Sequence, residues 1–342
     1  MYYLLNLLLI IVYYFFITKI KVNHNKRNKY FINIVCIHAI LFRVFANPMN
    51  YVDTDGYAYA FEYISTNSLE ESVLGVYSTW GVGYVALNWV LSRISTNPMI
   101  LFTFLSIVTV GGIILFYKKN SYAYFITILF FLLHPMLYYQ GFGVVRQHFA
   151  IVFLLWALYY SDNNKIMLLL SIVAFLMHPS CIVIFPFLLW RKIPFAKRGL
   201  FFFILFTIVG LIVMRATMSM VLSFLPRYEE NGFGGDGDNN IIPVFLLGFV
   251  IIVMFISGTY KHLKLKKEKN ILSFILYGFV VAIFGIGMQG AGRLTLPFIY
   301  VLPVFLSYLY KYSKHIKVYY YSCLCIIFGL LFLMLYIYRM TL

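Results

Sequence analysis

The sequence predicts an all-α polytopic membrane protein with about 12 transmembrane or partly spanning helices, and three observations carry that prediction. Hydrophobic residues make up 63% of the chain and charged residues only 11%, against about 25% charge in a soluble domain. Apolar runs recur from residue 2 to residue 338 with no long polar block between them, and about 20 such residues suffice for a helical span. The basic residues are gathered in short clusters between those runs. A transmembrane β-barrel would instead need short segments of alternating polarity.

The runs fall, in order, at 2–18, 30–46, 97–117, 121–140, 144–160, 165–177, 181–190, 199–215, 241–260, 270–289, 292–310 and 318–338. Basic clusters at 19–29, 118–119, 165, 191–198, 261–269 and 311–317 hold 20 of the 27 basic residues. By the positive-inside rule they mark cytoplasmic loops. The net charge of +16 is therefore a topology signal. Its counter-charge is anionic lipid headgroups of the bilayer, and no nucleic-acid partner is expected. The first run has no basic residue before it and five just after, which puts the N-terminus outside. It lacks the charged n-region and cleavage site of a signal peptide. One continuous helix over 165–190 would put cluster 191–198 on the wrong side. Two short helices meeting at Pro179 are expected instead, because proline cannot continue the helix ladder. Residues 1–342 read as a single integral membrane domain with outer-face loops at 47–96 and 216–240. Cys36, Cys181, Cys323 and Cys325 lie in apolar segments without the spacing of a zinc site or an exposed disulfide.

The outer face differs chemically from the inner. Outside the inner clusters every basic residue is arginine: Arg43, Arg93, Arg146, Arg215, Arg227, Arg293 and Arg339. Arginine presents a planar fork of donors that grips phosphate or carboxylate bidentately, so this pattern points to an anionic ligand. Arg146 follows the small-residue turn "GFGVV" and opens a span; Arg293 follows "GIGMQGAG" and opens another. Two guanidiniums at two helix N-termini make a site for a diphosphate, since free N–H groups and the helix dipole also favour anions there. Arg227 and Tyr228 in the glycine- and acid-rich loop are further candidates. Gln147 neighbours Arg146 as a substrate-binding candidate, and Tyr57 is one of several loop aromatics suited to stacking on sugars. A snorkelling arginine and an interfacial aromatic are the ordinary readings of the same residues.

Asp53 and Asp55 in "YVDTDGY" are the best acid/base pair, since a carboxylate can take a proton from a sugar hydroxyl as it attacks. Their spacing also suits a calcium cage, but further oxygen ligands are not apparent, and no metal is expected. His178 in "FLMHPSC" sits at a helix break, where an ionisable group tends to face a cavity, with Ser180 as its hydrogen-bond neighbour. His134 and His148 rank below it. No nucleotide-binding glycine loop, HExxH or GxSxG occurs, so an ATP-driven pump or metalloprotease is unsupported.

The order "DTDGYAYAFEY", "GYVALNWVLSRISTNP", "VVRQHFA", "AFLMHPSCIVIFP", "GRLTLPF" resembles the EpsG family of Wzy-like polysaccharide polymerases over about residues 30–310. Where members often show His-Ser-Ala, this chain has "HPSC". The resemblance implies a membrane-embedded glycosyltransferase that extends O-antigen, capsule or exopolysaccharide at the outer face of the bacterial cytoplasmic membrane. Donor and acceptor would both be undecaprenyl-diphosphate-linked glycans, with no nucleotide sugar and no cofactor. A Wzz-like chain-length regulator is the protein partner it implies. Arg146, Arg293 and Arg227 would hold the leaving diphosphate, and Asp53, Asp55 or His178 would deprotonate the acceptor, with inversion at the anomeric carbon. An O-antigen ligase is the alternative enzyme. A flippase or transporter of the lipid-linked unit would want its charges deeper in the membrane.

Overall fold

In the computed structural model, residues 24–45, 53–75, 80–191, 241–285 and 291–313 are described, with isolated positions near both ends. All regular elements among the described residues are helical. In chain order they are α1 (His24–Phe45), α2 (Thr54–Thr66), α3 (Leu69–Leu74), α4 (Val82–Ser92), α5 (Met99–Asn120), α6 (Tyr124–Leu133), α7 (Val145–Tyr159), α8 (Asn164–Met177), α9 (Ile184–Trp190), α10 (Ile241–Ile256), α11 (Lys266–Phe284), α12 (Ala291–Ile299) and α13 (Leu302–Tyr312). The expected run at 199–215 and the whole of loop 216–240 lie outside the described residues, as do most of the runs at 2–18 and 318–338.

α5 is predominantly apolar up to Tyr117, free of proline, and carries Lys118 and Lys119 in its last turn. Its 22 residues extend about 33 Å at 1.5 Å per residue. Among the described residues α5 and the stretch Gly292–Tyr312 are the two long and apolar enough to cross a bilayer. Shorter apolar helices surround them, including α7, α8 and α10. On α8, Leu168, Leu169, Ile172 and Leu176 are exposed along one side, an apolar stripe turned away from the protein, as lipid requires.

Two expected continuous runs are interrupted. The run 121–140 becomes α6, a π turn at Pro135–Tyr139 and a 3-10 turn at Gln140–Phe142, because Pro135 has no N–H for the α ladder. The run 292–310 splits into α12 and α13 at Tyr300–Val301, with Pro297 inside α12 and Pro303 at the start of α13. At 165–190 the chain does break at the proline: α8 ends at Met177 and a 3-10 turn runs over Pro179–Val183.

α7 packs between α5 and α8. The contact with α5 is close because Gly112 has no side chain. A Cβ there would lie 2.5 Å from Val152 Cγ1, and Trp156 Nε1 donates to the Gly112 carbonyl at 3.2 Å. Small residues permit such backbone approach between membrane helices. α2 and α4 cover the opposite end of α5 and α7 through Tyr57, Phe61, Tyr84, Leu101, Phe102, Val145 and Phe149. α4 is seated by Gly81, whose φ of 92° lies where only glycine is unstrained. A Cβ on Gly81 would also lie 2.6 Å from the Leu176 carbonyl oxygen. The start of α4 is thereby pressed against the end of α8.

Candidate active site

α7, α8, α12 and the start of α4 bring their ends together around Arg146, Gln147, His178, Ser180 and Arg293. Arg146 is in the first turn of α7. Its Nη1 donates to the Trp80 carbonyl at 2.7 Å. Its guanidinium carbon is 4.9 Å from the Trp80 ring centre and 5.7 Å from that of Tyr84, within cation–π range. Tyr57 of α2 meets Trp80 edge-on at 5.3 Å and Tyr84 at 6.3 Å. Aromatics of the segment 53–92 therefore form a wall around Arg146, and Tyr57 is buried within it. Burial pushes the Tyr57 phenol up from its ordinary pKa, while the charges of Arg146 and Arg293 pull it down and Asp53 pushes it up.

Gln147, buried beside Arg146, ties two helices and a turn together. Its Nε2 donates to the Arg293 carbonyl at 2.5 Å and to Ser180 Oγ at 3.2 Å. The Arg293 carbonyl is available because its normal α-helical donor is the N–H four residues on. That residue is Pro297, which has none. A proline in α12 thus frees the carbonyl that α7 captures.

His178 caps the end of α8 in extended conformation, φ −151° and ψ 124°. Its Nδ1 is 2.8 Å from Ser180 Oγ and accepts the Ser180 backbone N–H at 3.2 Å. The ring lies within electrostatic reach of Arg146, Arg293 and His148. Four of the sequence-derived candidates, Gln147, His178, Ser180 and Arg293, are therefore linked to one another by hydrogen bonds, and the charge of Arg146 reaches His178.

The other candidates stand differently. Asp53 is exposed at the start of α2, at φ 69°, and its charge reaches Tyr57. Asp55 is exposed in the first turn of α2 and makes no described contact with the arginine cluster. Arg227 and Tyr228 lie outside the described residues.

Sequence reasoning missed a second polar cluster behind the first. Buried Arg43, at the end of α1, donates to the Gly141 carbonyl and lies 5.5 Å from the Phe142 ring centre. Tyr300, at the α12–α13 break, donates its hydroxyl hydrogen to the Leu137 carbonyl at 2.5 Å and is hydrogen-bonded to His148 Nδ1. The charge of Arg43 reaches both His148 and Tyr300. That every basic residue outside the lysine-rich clusters is arginine pointed at Arg43. No local pattern marked Tyr300, whose partners are more than a hundred residues away in the chain. Among the described residues no group of three or more His, Cys, Asp or Glu is placed to hold a metal ion.

A model of the EpsG family matches residues 36–341, nearly the whole chain. The protein belongs to the EpsG family. Members of the EpsG family are Wzy-like polymerases. The family match and the apolar helices together make this a membrane protein. The matched span contains Asp53, Arg146, Gln147, His178, Ser180 and Arg293. Neither the curated proteins nor the solved structures contain a match to the chain.

Proposed function

We propose that this EpsG-family protein is a polysaccharide polymerase. It transfers a polyprenyl-diphosphate-linked glycan onto a polyprenyl-diphosphate-linked repeat unit at the outer face of the cytoplasmic membrane. The reading has the chain as one multi-pass domain, with undecaprenyl diphosphate as the lipid carrier and a chain-length regulator as its protein partner. The observation that carries it is the Gln147 bridge, which holds the Arg146 and Arg293 helix starts around one histidine.

In this reaction the C1–O bond to the donor's diphosphate breaks, and its electron pair leaves on the diphosphate. The acceptor hydroxyl forms the new C1–O bond from the opposite side and loses its proton to a base. Positive groups fixed in place before reaction stabilise the developing diphosphate charge, often the largest single catalytic contribution. Arg146 and Arg293 fill that role, with Arg227 as a third contributor from the loop beyond the described residues. Asp53, Asp55 and His178 are the candidates to receive the proton, and Gln147, Tyr57, Tyr228 and Ser180 are the candidates to bind the substrate.

The glycan profile of a deletion strain tests the reading. Loss of a polymerase leaves single repeat units attached to the final acceptor, loss of a ligase leaves none attached, and loss of a flippase traps the unit inside. Complementation with Arg146→Ala or Arg293→Ala should shorten the polymer ladder, with a roughly 100-fold or greater fall in rate for a lost charge-stabilising donor. An unchanged ladder from both variants removes the diphosphate assignment.

A further inference from the structure

The hydrogen bonds around His178 have a direction, because two of their partners can act in only one way. A backbone N–H can only donate, so the Ser180 N–H at 3.2 Å from His178 Nδ1 requires a lone pair on that nitrogen. An imidazolium, or a neutral ring protonated at Nδ1, would put two hydrogens face to face. At the far end a backbone carbonyl can only accept, so the Gln147 amide must turn its nitrogen toward Arg293. The same nitrogen then offers its second hydrogen to Ser180 Oγ, leaving the serine hydrogen for His178 Nδ1 at 2.8 Å. Hydrogen positions assigned in this way follow from the whole network, as they must for any histidine.

We propose that His178 is a neutral ring held with its proton on Nε2, and that it acts as a hydrogen-bond donor to the diphosphate of the lipid-linked substrate, not as the base. Ser180 is a positioning residue that holds this tautomer by occupying Nδ1, and Gln147 is one that orients the Ser180 hydroxyl. The proposal rests on the polymerase reading for its ligand, but the tautomer does not. His178 is tied through Ser180 and Gln147 to the Arg293 carbonyl and lies within electrostatic reach of Arg146 and Arg293, so an N–H donor there would add to two cations around an anion. With the Nδ1 lone pair engaged, proton removal from the acceptor falls to a carboxylate. Asp53, whose charge reaches Tyr57 in the aromatic wall around Arg146, is the one assigned that role. The C1–O bond to the diphosphate then breaks with its electron pair on the leaving diphosphate oxygen, whose charge Arg146, Arg293 and His178 Nε2–H stabilise, while the acceptor oxygen bonds to C1 and its proton passes to Asp53.

The decisive measurement is ¹⁵N NMR on full-length protein labelled at its 7 histidines in lipid nanodiscs, with His178→Gln used to assign the His178 signal. The expected result is a protonated Nε2 and an unprotonated Nδ1, and a protonated Nδ1 overturns the proposal. Adding farnesyl diphosphate should shift the Nε2 resonance. No shift, with the tautomer as expected, overturns the diphosphate as its acceptor and counts against the polymerase reading as well. In cells the amide of glutamine can replace an Nε2 donor, whereas that of asparagine replaces Nδ1. His178→Gln is expected to keep polymer synthesis within about 10-fold of wild type, while His178→Asn and His178→Ala fall about 100-fold. If His178→Gln falls as far as His178→Ala, the donor role is wrong and the base role stands. Ser180→Ala removes the hydroxyl but keeps the backbone N–H, so the Nε2-protonated form should persist; a mixture of tautomers would overturn the backbone N–H as the group that holds the ring.

Discussion

Gln147 Nε2 lies 2.5 Å from the Arg293 carbonyl oxygen, an acceptor that Pro297 leaves without its own helix's hydrogen bond. One missing N–H in α12 is thus what couples the starts of two arginine-bearing helices.

The first prediction concerns that proline. Pro297→Ala restores an N–H to α12 and relieves a helix-interior penalty of about 3 kcal/mol. The new N–H competes with Gln147 for the Arg293 carbonyl and straightens the helix start. Thermal stability in detergent is expected to hold or rise while polymer output drops by about 10-fold, the cost of roughly 1.4 kcal/mol in the barrier. Unchanged polymer output would show that the bridge does not set the position of Arg293.

Asp53 separates backbone from charge. Its left-handed φ of 69° is one that asparagine also tolerates, so Asp53→Asn keeps the fold and removes the carboxylate. Polymer synthesis is expected to fall about 100-fold or more, the usual contribution of a general base, with no change in melting temperature. Asp55→Asn, at a residue outside the arginine cluster, should have a much smaller effect. Equal losses in the two variants would contradict the assignment.

Adjacent glycines on α5 give a packing test. A Cβ on Gly111 meets nothing within 4 Å, whereas one on Gly112 lies 2.5 Å from Val152 Cγ1. Gly111→Ala should be neutral or stabilising by up to about 1 kcal/mol. Gly112→Ala should cost about 1–3 kcal/mol by overpacking the α5–α7 contact. Thermal unfolding of the two purified variants reads the difference, and similar melting temperatures would refute the close approach of α5 and α7.

Glu268, at the end of α11 away from the arginine cluster, provides a pH test. Burial, the largest single influence, pushes its carboxyl up, but the Tyr122 hydroxyl, the Leu265 N–H, the Tyr312 hydroxyl and the Lys264 N–H together hold it below the ordinary value. Tyr312 donates at 2.8 Å and the two backbone groups at 3.0 Å each. A carboxyl depressed on folding contributes stability that is fully present above its unfolded value, about 4.3. That stability is lost as pH falls through the folded value. The melting temperature should therefore be level down to about pH 5 and decline below it. Glu268→Gln should flatten that acid decline and lower the melting temperature at neutral pH, since charge-assisted bonds become neutral ones at a cost of about 1–2 kcal/mol. An acid decline of undiminished size in Glu268→Gln would assign it to other groups.

Much of the helical layout was legible because it depends on local composition. The run 144–160 became α7 at Val145–Tyr159, and the Pro179 break fell where proline requires it. The breaks inside 121–140 and 292–310 were harder to see. Their prolines sit within strongly apolar sequence, and hydropathy averages over a missing N–H. Arg146 and Arg293 were visible as arginines after small-residue turns. That Trp80 would give Arg146 both a carbonyl and a ring, or that Tyr300 would bond His148, was not visible, because those pairs are 66 and 152 residues apart.

The amino-acid sequence by itself determined an all-helical chain of membrane composition, the family, and the residue types available for holding an anion. Periodicity, charge clustering and motif order are all properties of neighbours along the chain. Only the tertiary structure decided which of those residues act together. Gln147 finds a carbonyl that a proline on another helix has freed, and Ser180 fixes the proton of His178. Each relation requires two polar groups to meet at hydrogen-bond distance, and helix packing, not chain proximity, sets that distance.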